Sequence, residues 1–214
     1  MPVKNLCNKF KIVYISQFRK FTNFNETFMV YGKSRISFES FYSCEFYFLP
    51  KLLSFCKKNK IVLQICGCSI EDQDDECSFY KLILPEMGWN FIPKTTTYSS
   101  YDIIDSSYLI ISCGSTLGLE ALARNKRVAF FTTRGCHINK QDYNFGWPEN
   151  FKMTGPFWIN FENEELFNSV INFVYFSYEK LWNETVEKYK AKLIESDPGN
   201  IKFTNLINLI MNER

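Results

Sequence analysis

Tyr108–Thr133, YLIISCGSTLGLEALARNKRVAFFTT, is the stretch whose reading decides the fold. Leu109, Ile110 and Ile111 form an unbroken apolar run, the pattern of a strand covered on both faces. At Cys113–Thr116 the run gives way to small and hydroxyl-bearing residues. Gly114 permits a sharp turn, and Ser115 or Thr116 caps the helix that follows over Leu117–Arg124. A basic turn then leads into a second buried strand, Val128–Phe131. A helix that opens at the carboxyl end of a parallel strand presents unpaired N–H groups and a positive dipole end. That is an anion site, and a diphosphate is its usual occupant in such folds. Glu120 lies four residues beyond Thr116 on the same helix face, within reach of sugar hydroxyls beside a bound phosphate. The same pattern also serves as plain structure, since a Glu near a helix start is stabilised by the dipole alone. It is neither a Walker sequence nor a GxGxxG fingerprint.

Outward from this stretch, strands and helices alternate. Lys11–Gln17 (KIVYISQ) reads as a first buried strand, followed by a polar loop with Arg19 and Lys20. Ser37–Asn59 is a long helical candidate, with Phe41, Phe48, Leu52 and Phe55 near helical spacing and Pro50 as a kink or fresh start. Ile61–Cys66 is a second strand ended by Gly67. Glu71–Glu76 carries five acids in six residues and reads as a solvated surface loop rather than a metal-binding carboxylate set. Phe79–Met87 resumes a helical pattern, Asn90–Pro93 is a short strand, and Tyr101–Ser107 holds a turn or brief helix. Beyond Phe131 come a loop rich in Gly, Pro and aromatics (Gly135–Trp158), helices at Glu164–Ser177 and Tyr178–Glu195, a turn at Asp197–Asn200, and an amphipathic helix at Ile201–Met211. This alternation predicts an α/β fold with a doubly wound parallel sheet, Rossmann-like, and C-terminal helices that cover the sheet. With neither an internal repeat nor a Ser/Gly-rich linker, residues 1–214 read as one domain.

Composition narrows the function classes. An apolar content of 46% with 18% aromatics argues against disorder. A net charge of +2 without a dense Lys/Arg block gives no nucleic-acid footprint, so a small anion is the expected partner. The eight cysteines include no CxxC pair, and His137 is the only histidine, so four-ligand zinc spacing is absent and no metal is expected. The cysteines read as free, mostly buried thiols of a reducing compartment. The opening MPVKNLCNKFKIVYIS does not have the pattern of a secretory signal, and no run approaches the ~20 apolar residues that span a bilayer. A cytoplasmic protein is expected, including one peripheral to the inner membrane.

Three segments carry a family resemblance: CGSTLGLEALARNKRVAFF (Cys113–Phe131), NFGWPENFKMTGPFW (Asn144–Trp158) and ESDPGNIKFTNLI (Glu195–Ile207). In this order the chain resembles the C-terminal, donor-binding half of a GT-B glycosyltransferase. More narrowly, it is similar to the LIC12162-type transferases of bacterial surface carbohydrate and lipopolysaccharide synthesis. The resemblance implies transfer of a sugar from a nucleotide-activated donor to a glycan or lipid-linked acceptor. Gly114, Ser115 and Thr116 would hold the distal donor phosphate, Glu120 the ribose, and Arg19 and Lys20 would neutralise phosphate charge. The backbone near Phe91 and Ile92 would meet the base. No cofactor or metal is implied. GT-B enzymes place acceptor and general base on a second, N-terminal domain, so a partner chain supplying that domain is expected, and no catalytic residue is assigned here. Two other readings stand beside this one: a nucleotide-sugar epimerase of GT-B shape, and a non-catalytic nucleotide-sugar-binding subunit or remnant.

The aromatic loop adds further cleft candidates. Arg134 is a candidate phosphate ligand, His137 a contact to acceptor or donor phosphate or a proton-transfer group, and Asp142 an acceptor for sugar hydroxyls. Trp147 offers a stacking face, while Phe157 and Trp158 read as seals of a core edge.

Overall fold

The computed structural model describes residues 11–30, 34–149, 151–194 and 201–212. At its centre, β1 (Ile12–Ile15) pairs in parallel with β4 (Leu63–Cys66) on one side and β6 (Leu109–Ser112) on the other. Ile12 faces Leu63 and Leu109, and Tyr14 faces Ile65 and Ile111. Outside β4 lies β5 (Trp89–Ile92), and outside β6 lies β7 (Arg127–Phe131). Two short strands finish that side: β9 (Trp158–Ile159) parallel to β7, and β8 (Thr154–Gly155) antiparallel at the edge. The seven-stranded order is therefore β5-β4-β1-β6-β7-β9-β8, the doubly wound arrangement. Both β1 and β6 are buried along their whole length, which is why their sequences are apolar without alternation.

Consecutive residues of a strand face opposite sides, and Phe130–Phe131 shows where the helices sit. Phe131 packs on Phe48 of α2 (Ser43–Lys58) and Phe167 of α7 (Glu164–Phe176), at 4.9 Å in both cases. Phe130 points the other way, stacking on Phe145 at 4.2 Å beside α5 (Thr116–Ala123). Helix α7 buries Phe167, Val170, Ile171 and Val174, a single stripe at helical spacing. It starts at Asn163, whose side chain accepts from Leu166 N–H at 2.8 Å, with Glu164 and Glu165 in the first turn. Helix α8 (Glu179–Leu193) buries Trp182 and Val186 and packs against α5. Phe157 and Trp158 are 0% and 2% exposed, sealing the core edge as their sequence context indicates.

Several local expectations are corrected. A two-stranded antiparallel hairpin, β2 (Thr27–Val30) with β3 (Ser34–Ser37), precedes the long helix. That helix breaks at Tyr42, after α1 (Phe38–Phe41), rather than at Pro50, which lies inside α2. The acidic segment is not a loop: α3 (Gln73–Ile83) begins within it, and Glu76 is fully buried, accepting from the Cys68 and Ser69 N–H groups. Tyr101–Ser107 belongs to a true helix, α4 (Ser99–Asp105). The aromatic loop contains the short helix α6 (Arg134–His137), a 3-10 turn at Gln141–Tyr143 and strands β8 and β9. Helix α9 (Ile201–Asn212) does not cover the sheet, for Ile201, Phe203, Leu206 and Ile210 are all exposed. The Asp197–Asn200 turn and residues before Lys11 lie outside the described residues. The seven described cysteines are all free thiols.

Gly118 is where α5 meets the sheet. A Cβ there would lie 2.6 Å from both Cβ and Oγ of Ser112 and 3.0 Å from the Phe130 ring. Only glycine lets the helix axis approach β6 so closely. Gly118→Ala should therefore lower the unfolding free energy by ~1–3 kcal/mol through overpacking, read as an earlier urea midpoint at unchanged m-value. A midpoint equal to wild type would show that α5 can lift away at no cost.

Candidate functional site

Strand order reverses at β1, where connections on one side run outward to β4 and on the other to β6. In such sheets the crevice at the carboxyl ends of the two central strands is left uncovered. Here it is flanked by Gln17 after β1 and by the Cys113–Gly114 turn after β6. The Gln17 amide nitrogen lies 3.9 Å from the position a Cβ would take on Gly114. Gly114 has φ +119°, a conformation that only glycine adopts without strain. Ser115 is the N-cap of α5, its Oγ accepting from Leu117 N–H at 3.3 Å. Ser112 Oγ accepts from Gly114 N–H at 3.4 Å and Ser115 N–H at 3.2 Å, both long bonds.

From this turn a cavity of about 480 Å³ extends over the carboxyl end of β7. Gly114 and Ser115 form one wall, Leu119 and Phe130 the floor, the Asp142–Pro148 segment the opposite wall, and Lys192 with Leu193 of α8 the rim. The opposite wall is held by Asn160, which is 1% exposed. Its Oδ1 accepts from Phe145 N–H at 2.8 Å, its Nδ2 donates to Phe145 carbonyl at 3.1 Å, and its Oδ1 also accepts from the Thr132 hydroxyl. Among the described residues neither Asp142 nor Lys192 has an ion-pair partner, although both line this cavity. Lys190, two residues earlier, pairs instead with Glu187 and donates to Asn125. Nothing in the sequence distinguishes Lys192 from its neighbours. Its placement follows from where α8 ends against α5.

Of the residues singled out from sequence, Gly114, Ser115, Asp142 and Trp147 meet at the cavity. Thr116 is exposed at the first turn of α5, just outside it. Glu120 is exposed and turned toward α4, accepting from the Tyr101 hydroxyl. Arg19 donates to the Met29 carbonyl and sits over the Phe41 ring at 5.1 Å. Lys20 pairs with Asp72 and Asp75 of the acidic segment at 3.2 and 2.8 Å, and these carboxylates raise its pKa. His137 pairs with Glu162 at 3.0 Å, in a separate shallow groove with Glu39 and Ser43. Phe91 and Ile92 lie on β5, separated from the turn strand β6 by β4 and β1.

Arg134 is buried, 8% exposed, at the start of α6. Its Nε donates to the Phe41 carbonyl at 2.7 Å, and its guanidinium lies 4.2 Å above the Phe41 ring and 3.8 Å from Glu45. Glu45 is fully buried and accepts from the Tyr14 hydroxyl at 2.8 Å. Burial pushes the Glu45 carboxyl above its ordinary value, more than Arg134 and Tyr14 pull it back. Beside this pair, Cys44 Sγ accepts from Thr133 N–H at 3.1 Å and hydrogen-bonds Cys113. Burial alone would push the Cys44 thiol up, but Cys113, Arg134 and Thr133 outweigh it and hold it below the usual range.

Sheet order, crevice and cavity together define a Rossmann-like α/β protein with a ligand-sized cavity at the carboxyl edge of its sheet. The chain belongs to a family described as "putative O-antigen biosynthesis protein", whose model matches residues 2–211. No curated protein matches the chain closely enough to count as a relative. Among the described residues no helix is long and apolar enough to cross a membrane, and no cluster of metal-ligating side chains is present.

Because Arg134 and Glu45 are buried together, removing either leaves the other as an uncompensated buried charge. Glu45→Gln and Arg134→Met should each destabilise the protein by ~3–5 kcal/mol. The double variant should lose less than the sum of the two, as a double-mutant cycle in urea will show. Additive losses would mean that the two groups do not act as a pair.

Proposed function

We propose that this chain binds a nucleotide-activated sugar and serves glycosyl transfer to a glycan or lipid-linked acceptor in O-antigen synthesis. One observation carries the reading: the Gly114–Ser115 turn, opening the capped helix α5 at the reversal of strand order, forms a wall of the cavity. Membership of an O-antigen family and the resemblance of the turn to the GT-B donor half support it.

In such a transfer the bond from the sugar C1 to the distal phosphate oxygen breaks. An acceptor oxygen bonds to C1 and gives its proton to a base. Negative charge grows on the leaving phosphate while the sugar becomes electron-poor. Donors fixed beforehand around that phosphate lower the barrier, because they need no reorganisation as charge develops. The turn with the Thr116 N–H and the Lys192 ammonium supplies such donors, so the reading requires no metal. Glu120 lies on the α4 flank, where it would meet the ribose once the Tyr101 hydroxyl gives way. The acceptor and its base belong, on this reading, to a second domain or partner chain, and the reaction to the cytoplasmic side where nucleotide sugars are made.

Titration calorimetry with UDP, GDP, CDP, CMP and dTDP tests the donor site. One nucleotide should bind selectively, and Glu120→Ala should weaken it about tenfold by removing a charge-assisted hydrogen bond. Glu120 is exposed, so the variant should keep the wild-type thermal midpoint. Absence of binding by all five would sink the donor reading.

A further inference from the structure

We propose that the cavity takes the glycosyl phosphate end of the donor rather than its nucleoside, with Lys192 on the phosphate, Asp142 on sugar hydroxyls and Trp147 against the sugar ring. This assignment rests on the donor reading above and gives it a direction.

The two flanks of the Gly114–Thr116 turn differ in chemistry. On the α4 side stand Glu120 and Tyr101, outside the cavity. On the other side the cavity brings together a lysine, a carboxylate and an aromatic face. Lys192 and Asp142 both line it, yet they do not pair with each other or with any described residue. Elsewhere Lys20, Lys51, Lys57 and Arg124 each meet a carboxylate. A cation and an anion left single around one cavity match a ligand that carries both an anionic group and hydrogen-bond donors. A glycosyl phosphate is such a ligand: its phosphate needs a cation and its hydroxyls need an acceptor.

Trp147 adds the third requirement. It is 56% exposed at the cavity wall, and its indole N–H has no partner among the described residues, whereas Trp158 and Trp182 are each 2% exposed in the core. The C–H face of a pyranose packs on such a ring, which covers apolar surface at little entropic cost. Leu119 and Phe130 extend the apolar lining beneath it. The wall itself is fixed, because Asn160 clamps the Phe145 backbone on both its N–H and its carbonyl. Lys192 is the moving part, a flexible side chain at the last turn of α8. If the diphosphate sits at the turn with the ribose toward Glu120, the sugar has one direction left, across Ser115 into this cavity.

The test titrates hexose 1-phosphates and the five nucleotides separately against the full chain, by ligand-observed NMR and Trp fluorescence. Wild type is compared with D142N, W147A and K192A, each checked for an unchanged thermal midpoint. D142N and W147A should weaken hexose 1-phosphate about tenfold and leave the nucleotide within about twofold, while K192A should weaken both. Equal loss of nucleotide and hexose 1-phosphate binding in W147A and D142N would put the nucleoside in the cavity and overturn the assignment. So would hexose 1-phosphate binding that none of the three variants changes. Nucleotide binding without hexose 1-phosphate binding would overturn it while leaving the donor reading intact. Hexose 1-phosphate binding sensitive to these variants, without nucleotide binding, would remove the donor reading and overturn the assignment to a nucleotide-linked sugar, leaving a site for a free glycosyl phosphate. Failure of both ligands would end both.

Discussion

The carboxyl edge of this protein depends on β1 having a parallel partner on each side. A strand buried on both faces has no access to water, so its N–H and carbonyl groups must all be taken by neighbours. Pairing with β4 and β6 meets that demand, and it forces the chain to wind outward in two directions from the centre. The helices α2 and α5 then fall on opposite faces, as the opposed contacts of Phe130 and Phe131 show. What no helix covers is the edge between them. The crevice is thus a consequence of satisfying the backbone, and the Gly114 turn lies in it because β6 ends there.

The central strands and α5 were legible in the sequence because their burial is complete and their punctuation is local. Ile12–Ile15, Leu109–Ser112 and Arg127–Phe131 are apolar runs bounded by small or charged residues, and Gly114 and Ser115 act through their own backbone and side chain. The elements read wrongly owe their state to distant partners. Glu76 looks solvated among five acids, yet it is buried because the loop after β4 supplies two N–H groups to its carboxylate. Short alternation in Thr27–Val30 and Ser34–Ser37 carries too little signal against the helical pattern that follows. The cavity was half legible: Asp142 and Trp147 stood out by residue type, whereas Lys192 and Asn160 matter only through where α8 and β9 end. Helix α9 shows the reverse error, an amphipathic pattern taken as a sheet cover whose apolar residues the structure leaves exposed.

Charges in this molecule sort into two kinds, and the sorting separates framework from site. Glu45 and Arg134 lie in the interior, close to each other and to Tyr14 and Phe41. Burying such a pair costs solvation, and the Coulomb attraction offsets it only while both members remain. They tie α2 to the start of α6 beneath the edge, and they are spent on that. Lys20 is similarly engaged with the acidic start of α3. Asp142 and Lys192 are of the other kind, exposed and without an ion-pair partner among the described residues around a common space. A residue's type made Arg134 and Lys20 attractive as phosphate ligands, but the state of pairing argues for Lys192.

The turn itself is held in shape by hydrogen bonds from its own neighbours. Ser112 Oγ accepts from both the Gly114 and Ser115 N–H groups, at distances where a neutral hydrogen bond is weak. An anionic oxygen forms shorter and stronger bonds with the same donors. On the proposed reading, a phosphate oxygen would replace the serine hydroxyl on these donors without a backbone rearrangement. Gly118 contributes to the same end, since its missing Cβ allows α5 to rest directly on Ser112. The hydroxyl that satisfies the turn's donors thus also lies where helix and strand meet. On the proposed reading, a change at Ser112 would therefore disturb phosphate binding and helix packing together, whereas a change at Lys192 would reach the phosphate alone.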